Sequence, residues 1–181
     1  MKFNYLLNKE LPRLAWCAVL FKDSDEVNVY HGIDIETKMN FFVEGAWNGD
    51  FMQGDFDTAT FFMGSGAKKV EQGRGVLFST SSHTLERLYS FKENDVMYVS
   101  NSMPFLLYMS ENNLKFNYHE YESDFNSILK GINQYKKNIV LEDNKKLQIH
   151  YYCNFFIDLT FNVVEISKMR TKAFMSYDDY Y

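Results

Sequence analysis

Residues 76–109, VLFSTSSHTLERLYSFKENDVMYVSNSMPFLLYM, decide the fold that the sequence predicts. The first three residues are apolar and predict a short buried strand, followed by a Ser- and Thr-rich loop that carries His83. Residues 88–91 and 96–99 alternate between apolar and polar side chains across a polar break, which is typical of a β-hairpin. A polar stretch then precedes Pro104 and an apolar run, as at the start of a helix. The segment therefore predicts a strand, a hairpin and a capped helix.

The flanking sequence is also rich in strands. Apolar or alternating runs predict further strands at residues 14–21, 27–30, 39–43, 58–63, 138–141, 147–152, 155–159 and 163–166. Glycine-rich stretches at residues 44–51 and 64–66 predict turns or loops between them. Helical spacing predicts a second helix over residues 118–130, ended by Gly131. About ten strands with two or three helices predict an α+β domain with helices packed on a sheet.

Length and composition predict one domain over residues 1–169. The chain has 181 residues, of which 46% are hydrophobic, enough for one well-buried core. The net charge of −5 is spread along the chain without a basic patch, which argues against nucleic acid as a partner. No apolar run reaches the roughly 20 residues that span a bilayer, and the N-terminus lacks a signal-peptide core. We therefore expect a cytoplasmic protein without a membrane partner.

Residues 170–181 stand apart from this domain. Ser176 followed by Asp178 and Asp179 resembles a helix N-cap with acidic residues in its first turn, directly before the sequence stops. We predict that residues 170–181 begin a truncated linker or helix toward a C-terminal domain that this chain lacks.

Few residues qualify as candidates for catalysis. Cys17 and Cys153 lie among apolar and aromatic residues, so both are predicted to be buried, reduced thiols. His83 lies close to Ser81, which suggests a Ser–His pair, although Ser-rich loops usually bond their own backbone. The histidines and cysteines have no metal-ligand spacing, so neither a metal nor another cofactor is predicted.

Two further patterns suggest binding surfaces. Glycine at residues 64 and 66, followed by Lys68 and Lys69, could hold a phosphate, although a loop between strands is the simpler interpretation. Tyrosine pairs at residues 151–152 and 180–181 could instead cover a partner surface, because tyrosine suits half-buried interfaces.

The order of these elements resembles the N-terminal domain of the asparagine synthetase family. The segments that carry the resemblance are residues 42–51 (FVEGAWNGDF), 75–89, 96–107, 131–151 and 174–180. Such domains have the class II glutamine amidotransferase fold of the N-terminal-nucleophile hydrolases. The resemblance therefore implies a four-layer αββα sandwich of two mostly antiparallel sheets. It also implies that residues 174–180 lead toward an ATP-dependent synthetase domain.

The sequence departs from this family at the catalytic residue. Active members attack glutamine with a cysteine at the first position, whose free α-amine serves as base. Here residue 2 is Lys2, no Cys-Gly-Ile start exists, and only Arg74-Gly75 matches the substrate-binding Arg-Gly pattern. The resemblance therefore implies a catalytically inactive glutaminase-like domain, a state with precedent in relatives such as β-lactam synthetase. Its role would be to scaffold, dimerise with or gate an amide-forming domain.

Two alternatives remain open. Processing before Cys17 would free the amine of that residue and create an active amidohydrolase. A free-standing binding or assembly module, in which Tyr and Phe surfaces pair two copies of the chain, is the other.

Overall fold

A computed structural model describes residues 1–72 and 74–168 as a mixed α+β fold with two sheets and few helices. The strands are β1 (Lys2–Leu7), β2 (Trp16–Phe21), β3 (Glu26–His31), β4 (Glu36–Thr37), β5 (Phe41–Trp47), β6 (Phe62–Val70), β7 (Gly75–Ser79), β8 (Leu88–Glu93), β9 (Val96–Ser100), β10 (Asn138–Val140), β11 (Lys146–His150), β12 (Cys153–Asp158) and β13 (Val163–Ser167). The helices are α1 (Met103–Met109) and α2 (Tyr121–Asn126), with 3-10 turns at Phe51–Gln53, Ser127–Lys130 and Glu142–Asn144. The interpretation of residues 170–181 and of the tyrosine pair at 180–181 lies outside the described residues.

The strands form two sheets. The seven-stranded sheet has the order β1-β3-β2-β9-β8-β11-β10, and the six-stranded sheet has the order β13-β12-β7-β6-β5-β4. Among the described residues, β1 and β3 pair in parallel and every other strand pair is antiparallel. The sheets are thus mostly antiparallel, as predicted.

The main core lies between the two sheets. Alternation along β2 points Trp16 and Leu20 into this core, where Trp16 meets Phe42 of the other sheet at a ring-centroid distance of 4.9 Å. Cys17, one residue along, points to the opposite face and packs against Phe105 of α1. The strand is buried on both faces, as its continuous apolar sequence predicts.

The helices pack on the outer face of the seven-stranded sheet. Helix α1 contacts β2, β8 and β9, and α2 contributes Tyr121 and Phe125 to a cluster with Leu147 and Ile149 of β11. The outer face of the six-stranded sheet is covered in part by Phe56, which packs on Phe62. Within residues 1–72 and 74–168 the order of layers is therefore helix, sheet, sheet. No helix in this part of the chain is long and apolar enough to span a bilayer.

The central prediction is confirmed, and the glycine-rich loop prediction is wrong. Strand β7, which begins one residue earlier at Gly75, the β8–β9 hairpin and α1 all form in this segment. The strand predicted at residues 58–63 instead begins at Phe62 and continues through the Gly64-Ser65-Gly66 sequence to Val70. Residues 44–47, predicted as a turn, belong to β5 and pair with this stretch of β6.

Two glycines explain why these glycine-containing stretches lie inside a sheet rather than in loops. Gly45 and Gly64 face each other across the β5–β6 ladder with φ of +119° and +132°. A Cβ on Gly45 would lie 1.9 Å from the carbonyl oxygen of Met63, and a Cβ on Gly64 would lie 2.0 Å from that of Glu44. Only glycine fits this close backbone approach, so the two residues mark a distortion of the ladder rather than its end.

Two other elements also differ from the prediction. The sequence does not predict β1, which is the edge strand of the seven-stranded sheet. The helix predicted over residues 118–130 is shorter, because α2 begins at Tyr121 and gives way to a 3-10 turn that ends at Lys130. Gly131 follows and ends the element as predicted, with a φ of +102° and a ψ of 160° rather than the left-handed helical conformation.

Candidate functional site

A cavity of about 330 Å³ opens where strands of both sheets end. Its wall includes Glu44 of β5 and Ser65 of β6 from the six-stranded sheet. The seven-stranded sheet contributes Leu14, which precedes β2, and Asn101, which follows β9. Side chains distant in sequence therefore meet at one end of the core.

Glu44 is the most deeply placed carboxyl group of the cavity. Its Oε1 accepts a hydrogen bond from Ser65 Oγ at 2.7 Å, and Ser65 Oγ accepts one from Trp16 Nε1 at 3.0 Å. Burial raises the pKa of Glu44 to about 7, and the negative charge of Glu86 adds to that effect. Glu44 can therefore hold or release a proton near neutral pH.

Glu86 lies on the loop between β7 and β8 and is fixed by Ser81. Its Oε2 lies 2.5 Å from Ser81 Oγ, which also lies 2.9 Å from the carbonyl oxygen of Gly64. The N–H of Gly64 donates to the same Ser81 Oγ at 2.7 Å. A hydroxyl has one proton, so Ser81 donates either to Glu86 or to Gly64. About half of the Glu86 side chain (53%) is exposed, so its carboxylate faces the open side of the cavity.

Arg87 also lines the cavity, but its guanidinium group is held by aromatic residues. Its Nε donates to Tyr89 Oη at 2.5 Å, and its Nη1 donates to Tyr151 Oη. The Phe125 ring centroid lies 5.0 Å from the guanidinium carbon, close enough for a cation–π contact. Tyr151 is buried in this cluster, so it does not form the exposed partner surface suggested for residues 151–152.

The thiol of Cys17 does not reach the cavity. Cys17 is fully buried in β2, between β3 and β9, and it packs with Ala15, Val19 and Phe105. Burial raises the pKa of its thiol well above the usual range, so the thiol stays protonated at neutral pH. The prediction of a buried, reduced cysteine is confirmed for Cys17 and for Cys153.

His83 and Ser81 lie in the same loop but do not form a pair. The Nδ1 of His83 accepts a hydrogen bond from the Leu85 backbone N–H at 3.2 Å, and its Nε2 lies 3.8 Å from Glu86 Oε2. Ser81 instead bonds Glu86 and the backbone of Gly64. The structure brings both residues to Glu86 rather than to each other.

The glycine-rich sequence at residues 64–66 does not form an anion-binding loop. These residues are paired with β5, and Lys68 forms an ion pair with Asp57. In the part of the chain that the structure describes, no group of three His, Cys, Asp or Glu side chains could hold a metal ion. We therefore take the cavity as the candidate site, because two carboxyl groups and a guanidinium group line it together.

Sequence reasoning missed the three charged residues that define the cavity. Glu44 and the adjacent pair Glu86 and Arg87 follow no known motif, and the pair lies far from Glu44 in the sequence. The sequence signal that could have found Glu44 is its spacing of two residues from Phe42. Residues two apart on a strand share a face, so a buried Phe42 predicts that Glu44 also faces the core. That signal requires residues 44–47 to be recognised as strand.

Comparisons of the chain with protein-family models, with curated proteins and with solved structures each gave no match. The function proposed below therefore rests on the geometry of the site and on the sequence resemblance described above.

Proposed function

We propose that this chain is a catalytically inactive, glutaminase-like domain of an asparagine synthetase-like protein. The observation that carries the proposal is the position of Leu14. This residue lines the cavity two positions before β2, and its alkyl side chain can act neither as a nucleophile nor as a base. The nearby thiol of Cys17 lies on the other side of the strand, against α1. The cavity thus has neither the nucleophile nor the base of a class II amidotransferase.

The two stacked, mostly antiparallel sheets support this proposal. Helices cover the outer face of one sheet, and the cavity opens between strand ends of both sheets. The proposed αββα sandwich requires a second helical layer on the outer face of the six-stranded sheet. That layer would have to come from outside the described residues.

The role we propose is structural or regulatory. The domain would scaffold, dimerise with or gate an ATP-dependent, amide-forming domain of the same or another chain, in the cytoplasm. A retained cavity without a nucleophile suits gating, because a ligand can bind there without being consumed.

A glutaminase assay tests the proposal. The purified chain, with its intact mass verified, is incubated with L-glutamine, and ammonia release is followed alongside the Cys17→Ala and Cys153→Ala variants. We expect no ammonia above the buffer background from any of the three proteins. Ammonia release that disappears in Cys17→Ala and persists in Cys153→Ala would refute the proposal and favour an active amidohydrolase.

A further inference from the structure

A second cleft, of about 390 Å³, opens between the two sheets and shares no lining residue with the cavity at Glu44. The seven-stranded sheet lines it with strands β8 to β11, and the six-stranded sheet lines it with residues 161–163, where β12 turns into β13. Strands β10 and β13 are the last strands of their sheets, so the cleft lies on one open side of the sandwich. An inference about this cleft does not depend on the function proposed above.

The inner face of the seven-stranded sheet is polar where it borders this cleft. On β8, Leu88 lies in the main core, and Ser90 and Lys92 follow on the same face because side chains two apart point the same way. On β11, Lys146 and Gln148 alternate with residues that pack against the helices, so they face the other sheet. Inner positions of stacked sheets usually form an apolar core, so these residues leave a gap that suits a polar occupant.

The two lysines of the cleft lie next to each other without a counter-ion. Ser90 pairs with Gln148 across β8 and β11. The same register, extended by two residues, sets Lys92 opposite Lys146, and like charges directly opposite destabilise a strand pair. Neither ammonium forms an ion pair with a carboxylate of the described residues, and Lys92 instead lies 5.7 Å from the centroid of the Phe161 ring. An anion bound between the two lysines would remove this repulsion.

A second observation comes from the side-chain amides in the same cleft. Asn138 lies opposite Gln148 on β10, and its side chain forms no hydrogen bond within the part of the chain that the structure describes. Gln148 accepts a hydrogen bond from Ser90 through its Oε1, which leaves its Nε2 as a free donor. No aspartate or glutamate among the described residues lines the cleft, and Glu165 of the adjoining cleft is paired with Lys137 at 2.8 Å. The lining therefore combines two positive charges with amide donors and has no negative charge of its own.

We propose that this cleft binds the phosphoryl group of a small ligand between Lys92 and Lys146. A phosphoryl group carries nearly two negative charges at neutral pH and has three strong acceptor oxygens, so it can neutralise both ammonium groups and also accept from Gln148. The chain as a whole has a net charge of −5, so the attraction of an anion to this cleft has to be local. The volume of about 390 Å³ lies within the range of ligand pockets and accommodates a small phosphorylated metabolite.

NMR titration of the ¹⁵N-labelled full chain with inorganic phosphate tests the proposal, because it detects weak binding and locates it in the sequence. The ionic strength is held constant with sodium chloride at pH 7.5. We expect amide shifts that saturate with phosphate and are concentrated in β8, β10 and β11. Lys92→Gln and Lys146→Gln should each weaken phosphate binding about tenfold, because each removes one charge-assisted hydrogen bond. Lys92→Arg should retain binding, because arginine keeps the positive charge.

A second titration, with glycerol 3-phosphate, distinguishes a phosphorylated metabolite from the free ion. Both probes carry the phosphoryl group, so both should shift the same amides and depend on the same two lysines. Tighter binding of the ester would identify a phosphorylated metabolite as the ligand, and tighter binding of inorganic phosphate would identify the free ion. Either result supports a phosphoryl site in this cleft.

The control variant is Lys9→Gln, which removes an exposed lysine outside the cleft. It should bind phosphate like the unmodified protein. The proposal is overturned if the shifts do not saturate, if they are spread over the whole surface, or if Lys9→Gln weakens binding as much as the two cleft variants do. It is also overturned if Lys92→Gln and Lys146→Gln both leave the affinity unchanged. Lys92 and Lys146 are exposed, so both variants should fold, and the dispersion of each spectrum verifies this without reference to binding.

Discussion

Replacing Glu44 by glutamine should stabilise the protein at alkaline pH and leave its stability almost unchanged in acid. Burial raises the pKa of Glu44 from its ordinary value of 4.5 to about 7. A folded-state pKa above the unfolded one means that protonated Glu44 is compatible with the fold and ionised Glu44 opposes it. This stability is fully present below pH 4.5 and is lost as the pH rises through 7. Glutamine resembles the protonated carboxyl and avoids the loss.

The size of the effect follows from the shift in pKa. Each unit corresponds to about 1.4 kcal/mol, so the ionised carboxyl costs about 3 kcal/mol of unfolding free energy above pH 7. Glutamine can still accept the hydrogen bond that Ser65 donates, so little else changes at the site. In a chain of this size, a gain of that magnitude raises the melting temperature by roughly 6–12 °C.

Urea unfolding of the unmodified protein and of Glu44→Gln, at half-unit steps from pH 4.5 to 8.5, measures the effect. The difference in unfolding free energy should be near zero at pH 4.5, rise with pH and level off above pH 7.5. The exposed Glu10→Gln variant should show no such rise. A difference that is constant across the range, or a Glu44→Gln variant that is less stable at pH 8, would refute the conclusion that burial of Glu44 opposes its ionisation.

Two further predictions concern the core. Gly64→Ala should lower the unfolding free energy by about 3 kcal/mol or more in urea, because its Cβ would meet the Glu44 carbonyl and its φ is unfavourable. Gly131→Ala is the matched control, with positive φ and open space around the Cβ, so it should cost only about 1 kcal/mol, and equal losses would contradict the clash. The thiols of Cys17 and Cys153 should resist Ellman's reagent in the native state and react fully in urea, so rapid labelling of the folded protein would contradict their burial.

The elements that the sequence predicts well are those specified by adjacent residues. The β8–β9 hairpin follows from two alternating runs around the polar break that includes Asn94, whose φ of +53° suits the turn. Helix α1 likewise begins at Met103, directly before Pro104. Both signals are complete within about a dozen residues, so no distant contact can change them.

The sequence did not predict β1 or the residue range of β6, because partners distant in the chain specify both. Strand β1 becomes a strand by pairing in parallel with β3, 24 residues further along the chain in register. The glycines of β6 would interrupt an isolated strand, but Gly45 on the neighbouring strand accommodates Gly64. Local strand propensity does not account for a partner glycine that lies about twenty residues away in the sequence.

The candidate site was hidden for the same reason. Sequence reasoning paired Ser81 with His83 because they are close in the chain, whereas the structure brings each of them to Glu86. Glu44 lies in the cavity only because β5 turns this residue toward the core on the same face as Phe42. Strand register decides which polar residues line a cavity at the ends of two sheets, and register cannot be inferred from composition.

The N-terminal residues bear directly on the choice between an inactive domain and one that is activated before Cys17. Cleavage there would remove β1, with Phe3 of the main core, and the fully buried Trp16. Tyr5 would be lost as well, although its hydroxyl bonds the carbonyl oxygens of Lys38 at 2.6 Å and Phe41 at 2.9 Å.

Removal of a large buried aromatic side chain costs about 3–5 kcal/mol, so Phe3 and Trp16 together account for roughly 6–10 kcal/mol. That is comparable with the whole stability of a typical domain. Because the exposed amine would appear in a core emptied of its neighbours, these contacts favour the intact, nucleophile-free domain.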